Sequence, residues 1–73
     1  MTTYRFVSSG GTSGIAIVFE DGSVSPGLIP VDPANTDYQQ FKQAINDDTA
    51  QLEDADGVLM TAEEAKDFVK ELP

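Results

Sequence analysis

The chain contains no cysteine, no histidine and no tryptophan, and only four basic residues, Arg5, Lys42, Lys66 and Lys70, stand against 13 acidic ones. Without Cys or His there are no disulfides, no thiolate or imidazole metal ligands, and no Cys- or His-based catalysis. The absence of Cys leaves the redox compartment open. With a net charge of -9, the chain lacks the basic face that counterion release from a nucleic-acid backbone requires. The same shortage argues against an anionic membrane surface. No apolar run approaches the ~20 residues that cross a bilayer. Met1-Thr2-Thr3-Tyr4-Arg5 is not a basic region followed by an apolar one, so no signal peptide is expected.

What is present is short and acidic. Seventy-three residues make one domain. A core of that size supplies a net stability on the order of 3–5 kcal/mol. The usual supports are disulfides, a metal or a partner chain, and the first is excluded. The acidic balance favours a basic partner or a bound cation, or simply a solvated acidic surface.

Taken in order, Tyr4 to Ser8 alternates as a strand, with Tyr4, Phe6 and Ser8 on one face and Arg5 and Val7 on the other. Ser8-Ser9-Gly10-Gly11-Thr12-Ser13-Gly14 is glycine-rich but has no Lys after its last Gly and no helical pattern behind it. It therefore reads as a flexible hairpin loop rather than a phosphate cradle. Ile15-Ala16-Ile17-Val18-Phe19-Glu20 suits a central strand. Asp21-Gly22 suits a type I′ hairpin turn. Ser23-Val24-Ser25 is a weak return strand, cut by Pro26-Gly27 and resumed at Leu28-Ile29, as an edge strand would be.

The corner follows. Pro30 and Pro33 end the strand pattern. Thr36, with Gln39 three residues on, has the spacing of a helix capping box. Tyr38, Phe41, Ala44 and Ile45 then share one helical face. The helix is expected to end near Asp47, because acids oppose the dipole at that end. Asp47 to Gly57 is an acidic connection with Leu52 as its only large apolar residue. Thr61 and Glu64 repeat the capping-box spacing. Ala65, Phe68, Val69 and Leu72 form the stripe of a last helix. The expected fold is thus α+β: a three-stranded antiparallel β-meander over residues 1–29, a corner over 30–36, a helix over 37–47, an acidic connection over 48–60 and a helix over 61–72. Both helices are expected to pack on one face of the sheet.

One stretch has the form of a calcium loop. Placing Gly57 at the invariant sixth position of an EF-hand puts Asp54 third, Asp56 fifth, the Val58 carbonyl seventh and Glu63 twelfth. Helices are expected on both sides. The first position, however, falls on Leu52, which offers no side-chain oxygen, and a helix cap at Thr61 competes with the loop. The acidic pairs Glu20/Asp21, Asp47/Asp48 and Glu63/Glu64 lie in polar sequence, without the contrast in environment that splits an acid from a base. No enzyme and no cofactor are expected. An acidic face can also mimic nucleic acid against a basic groove.

Ile29-Pro30-Val31-Asp32-Pro33-Ala34-Asn35-Thr36-Asp37-Tyr38-Gln39-Gln40-Phe41 resembles a recurrent I-P-x-D-x-x-N-x-D-Y-x-x-[aromatic or Leu] stretch. It is found in small virion and tail-associated proteins of tailed bacteriophages, marine and cyanobacterial phages among them. Leu52 to Gly57 and Met60 to Ala65 are looser likenesses. The resemblance implies a non-enzymatic structural or tail-assembly protein, located in the virion or the host cytoplasm and possessing phage structural proteins as partners. It implies no catalytic or ligand-binding residues. The alternative is an acidic inhibitor of a host protein, and a third reading is a small cation-binding module. Tyr4, Phe6 and Leu28 are the candidate apolar contacts to a partner, within an oligomeric assembly, and Asp47 and Asp48 the acidic ones. Asp54, Asp56 and Glu63 are the candidate cation ligands.

Overall fold

The computed structural model describes residues 2–73 (for Ser9 and Thr12, the backbone alone). Strand β1 spans Thr2–Ser9 and β2 spans Thr12–Val18. They pair antiparallel from Thr3↔Val18 to Ser9↔Thr12. Gly10 and Gly11 make the turn at φ 57° and 84°. Two consecutive positive φ values are what a type I′ hairpin needs, and glycine adopts them without a Cβ clash. The glycine-rich stretch is thus mostly strand, closed by a tight turn.

Asp21-Gly22 turns differently from the type I′ expectation. Only Gly22 has a positive φ, 89°. Phe19 N–H donates to the Ser23 carbonyl at 2.8 Å, and Gly22 N–H donates to the Phe19 carbonyl at 3.0 Å. This is the three-residue hairpin, in which one left-handed glycine forms the bulge. The return segment hardly pairs. Val24 bridges to Val18, and Ser25 N–H donates to the Ile17 carbonyl at 2.8 Å. Pro26-Gly27 then interrupts the ladder, and β3 is only Ile29–Pro30, paired to β2 at Ile15 and Gly14.

The sheet is four-stranded and mixed, which corrects the expected three-stranded antiparallel meander. Strand β4, Ala50–Glu53, lies inside the stretch expected to be an acidic connection. It pairs parallel to β1, with Thr2↔Ala50, Tyr4↔Leu52 and Arg5↔Glu53 in register, giving the order β3-β2-β1-β4. A strand so short carries one large apolar residue and is specified by its neighbour's main chain. A parallel pair also needs a crossover, and a helix supplies it here.

Helix α1 spans Thr36–Asn46 and α2 spans Ala62–Glu71. The cap of α1 is Asn35, not Thr36: the Asn35 side chain accepts from Tyr38 N–H at 3.0 Å. The Gln39 side chain donates to the Pro33 carbonyl at 2.7 Å, so the Thr36–Gln39 box does not form. Asp32 decides this, since its carboxylate accepts from Ala34 N–H at 3.0 Å and its carbonyl from Asn35 N–H at 2.9 Å. That turn delivers Asn35 in the extended geometry a cap requires. At α2 the Thr61–Glu64 box is complete, with bonds of 3.2 and 3.1 Å. Helix α1 ends in a Schellman motif. Thr49 N–H reaches the Ala44 carbonyl at 3.0 Å and Asp48 N–H the Ile45 carbonyl at 3.3 Å. Asp48 takes the left-handed position at φ 60°, where glycine is usual.

Both helices lie on one face of the sheet. The core joins Ile15 and Leu52 from the strands to Tyr38, Phe41 and Ile45 from α1 and Ala65 and Val69 from α2. Tyr4 stands edge-on to Phe41 at 5.0 Å between ring centroids, and Phe6 edge-on to Phe68 at 4.9 Å. Each such pair adds about 0.5–1.5 kcal/mol beyond the area it buries. The Tyr38 hydroxyl donates to the Pro73 carbonyl at 3.1 Å.

Asp48→Gly is expected to stabilise the fold, because it relieves a left-handed non-glycine residue and gives up only an exposed ion pair to Lys66. A gain of about 0.5–1 kcal/mol would raise the melting temperature by roughly 2–8 °C in a domain of this size. Burial raises the phenol pKa of Tyr4, with a lesser contribution from the Asp37 charge, and burial raises that of Tyr38. A raised folded value means the stability is intact below the unfolded value and lost as pH rises through the folded one. Base unfolding followed by circular dichroism is therefore expected to begin above about pH 10, with a shallower pH dependence in Tyr4→Phe.

Candidate functional site

Alternation along the strands divides the sheet into a covered and an uncovered face. Tyr4 and Phe6, with their partners Ile17, Ile15 and Leu52, point toward the helices. Arg5 and Val7, with Ala16, Gly14 and Glu53, point away. Both helices lie on the first side, and on the second Leu28 lies across Gly14 and the Gly57 turn packs against Arg5.

The uncovered face is nearly free of charge. Arg5 and Glu53 are the only charged residues in the four strands. They sit side by side in the parallel register, and a single carboxylate oxygen, Oε1, accepts from Arg5 Nε at 2.9 Å and approaches Nη2 at 2.8 Å. The guanidinium lies against the next turn, where a Cβ at Gly57 would stand 3.4 Å from Nη2. Such a cross-strand pair is worth roughly 0.2–1 kcal/mol where solvent reaches it. The centre of the face is closed over by neighbouring side chains, and Ala16 there is 0% exposed without belonging to the core cluster. Leu28 lies across Gly14, so that a Cβ there would fall 2.7 Å from Leu28 Cβ. Toward the margins Leu28, Val24 and Leu59 are 44%, 41% and 50% exposed.

Tyr4 and Phe6 face the core and hold the rings of Phe41 and Phe68, whereas Leu28 is exposed on the uncovered face. Asp47 caps the end of α1. The Asp48 carboxylate meets Lys66 Nζ at 3.0 Å. Asp54 Oδ1 accepts from Asp56 N–H at 2.9 Å and Val58 N–H at 3.0 Å, which shapes the turn between β4 and Leu59. That turn has the same pair of main-chain bonds as the Phe19–Ser23 hairpin, with Gly57 at φ 83° in the place of Gly22. Glu63 lies in the first turn of α2. Asp54, Asp56 and Glu63 do not converge, and among the described residues no group of three or more carboxylates could hold a metal ion. A strand, not a helix, enters the loop.

A groove of about 390 Å³ runs between the outer edge of β4 and the start of α2. Ile45, Leu52, Met60 and Ala65 line its floor, and Asp48, Glu63 and Lys66 its rim. Two of its rim groups, Asp48 and Lys66, are joined as an ion pair at 3.0 Å. The Asp21 carboxyl is held below the usual carboxylate range by the Ser23 hydroxyl and N–H, which donate to Oδ1 at 2.6 and 2.9 Å. It sits fully in solvent at a turn. Among the described residues no helix is long and apolar enough to cross a membrane. Val7, Val18 and Leu59 also lie on this face and were not among the candidate contacts. The signal was the alternation of Arg5 and Val7, legible only once the helices are known to share the other side. Compared with family models, curated proteins and solved structures, the chain gives no match.

If Asp54 serves the turn, Asp54→Asn keeps an acceptor oxygen and is expected to melt within a few degrees of the wild type. Asp54→Ala is expected to lose about 1 kcal/mol. Millimolar calcium should leave both melting curves where they are. A calcium-dependent rise in the wild-type melting temperature, absent from Asp54→Asn, would restore the cation-site reading.

Proposed function

We propose that this chain is a non-enzymatic contact module of a tailed-phage structural or tail-assembly system, working through protein–protein contacts in the virion or the host cytoplasm. The observation that carries the contact role is the uncovered sheet face. In a chain of net charge -9, the strands that form it carry one internally neutralised pair, and Val24, Leu28 and Leu59 at its margins are 41%, 44% and 50% exposed. Depletion of charge at the centre of a surface is the compositional mark of a buried contact. The phage setting is supported by the likeness of Ile29–Phe41. Much of that segment builds the fold: Asp32 and Asn35 set the cap, and Tyr38 and Phe41 are core.

The test is capture from phage-infected lysate by the tagged protein, with mass spectrometry of what is retained. Tail, head or fibre proteins are expected, and retained in high salt, because an uncharged contact is not weakened by screening. Capture of one basic host protein, lost in high salt, would replace this reading with the acidic inhibitor that the net charge favours.

A further inference from the structure

We infer that Asp56 is a site of spontaneous isomerisation to isoaspartate, and that Asp21, in a turn of the same form, is protected from it. The inference goes beyond the contact role and concerns the turn that follows β4.

The reaction needs only the chain and water. Aspartate followed by glycine is its most open setting, because glycine has no side chain to bar its nitrogen from the preceding carboxyl. The glycine nitrogen attacks Cγ of the neutral carboxyl. Its proton leaves with the carboxyl hydroxyl as water, and a five-membered succinimide closes. Water then adds to one ring carbonyl and breaks the bond from that carbon to the glycine nitrogen. Opening at Cγ restores aspartate. Opening at the main-chain carbonyl leaves the chain running through Cβ and Cγ, which is isoaspartate. One water is lost and one regained, so the mass is unchanged and the product keeps a free carboxyl.

Asp21-Gly22 and Asp56-Gly57 are the Asp-Gly pairs of the chain, and their turns can be compared atom by atom. Gly22 N–H donates to the Phe19 carbonyl and Gly57 N–H to the Asp54 carbonyl, each at 3.0 Å. The two glycines have φ values of 89° and 83°, and both aspartates are exposed. The two nucleophiles are therefore held alike, but the two carboxyls are not. Asp21 Oδ1 accepts from the Ser23 hydroxyl at 2.6 Å and from Ser23 N–H at 2.9 Å. Those donors tie the carboxyl to Ser23 and favour its ionised form, the poor electrophile. In the second turn the matching donor is Val58 N–H, and Asp54 Oδ1 takes it at 3.0 Å. Valine supplies no hydroxyl. Among the described residues nothing donates to the Asp56 carboxyl, which is free to rotate onto the Gly57 nitrogen. The product lengthens the main chain by one methylene in a turn that packs against the Arg5 guanidinium.

The test holds the full chain folded in mildly acidic buffer and samples it over weeks. Peptide mapping separates the aspartyl and isoaspartyl forms of each turn, and a methyltransferase specific for the isoaspartyl carboxyl confirms them. Isoaspartate is expected at Asp56 about fivefold faster than at Asp21, the factor that one net hydrogen bond sets. In concentrated urea the two rates should converge, since the difference belongs to the folded turns. Ser23→Ala should raise the rate at Asp21 by about the same factor and leave Asp56 unchanged. If Ser23→Ala does not fold, Ser23→Val takes its place and gives the first turn the residue of the second. A folded chain in which Asp21 keeps pace with Asp56 overturns the inference. So does a difference that survives in urea, or a Ser23 variant that leaves Asp21 slow.

Discussion

Tyr4 and Phe6 stand two residues apart on the central strand, and each meets one helix. Tyr4 fixes α1 through Phe41, and Phe6 fixes α2 through Phe68. The main chain of the same strand pairs on one side with β2 and on the other with β4. Every layer of the molecule is therefore referred to the pleat of β1. A slip of one residue in that strand would turn both rings into solvent and put Arg5 and Val7 into the core. The type I′ turn at Gly10-Gly11 prevents the slip by fixing the register of β1 on β2.

The helical half was more legible in the sequence than the sheet, because its signals are local. The Thr61–Glu64 box and the apolar stripes of both helices each lie within a few residues, and the structure contains them. The cap of α1 was displaced by one residue. Asn35 and Thr36 are both good caps, and the choice fell to the Asp32 turn, which propensity alone does not weigh. The fourth strand could not be read. Ala50–Glu53 carries no β-branched residue and a single large apolar one, and only its non-local partner makes it a strand. The turn types were exchanged for a related reason. Asp21-Gly22 has the better type I′ dipeptide, but the length of the bulged loop on either side decides the geometry.

The candidate site was less legible than the fold. Leu28 was singled out and lies on the uncovered face, whereas Tyr4 and Phe6 belong to the opposite one. An aromatic residue on an alternating strand announces a buried side but not which covering buries it. That assignment depends on where two helices settle, α1 from Thr36 and α2 from Ala62, well downstream of both rings. The acidic loop shows the converse. Asp54, Asp56 and Gly57 match a calcium loop in spacing, and the same three residues equally well build a bulged hairpin.

The parallel pairing of β1 with β4 has a consequence for synthesis. Arg5 and Glu53 are 48 residues apart, and at 5–20 residues per second β1 waits roughly 2–10 s for its second neighbour. During that interval the β1–β2 hairpin emerges with one edge bare and both aromatic rings uncovered. Its tip, Ser8 to Gly14, carries no large apolar side chain. The chain thus leaves one edge of its first strand unpaired until β4 is made. Closure comes only when a short acidic segment arrives to take the vacant side of the first strand.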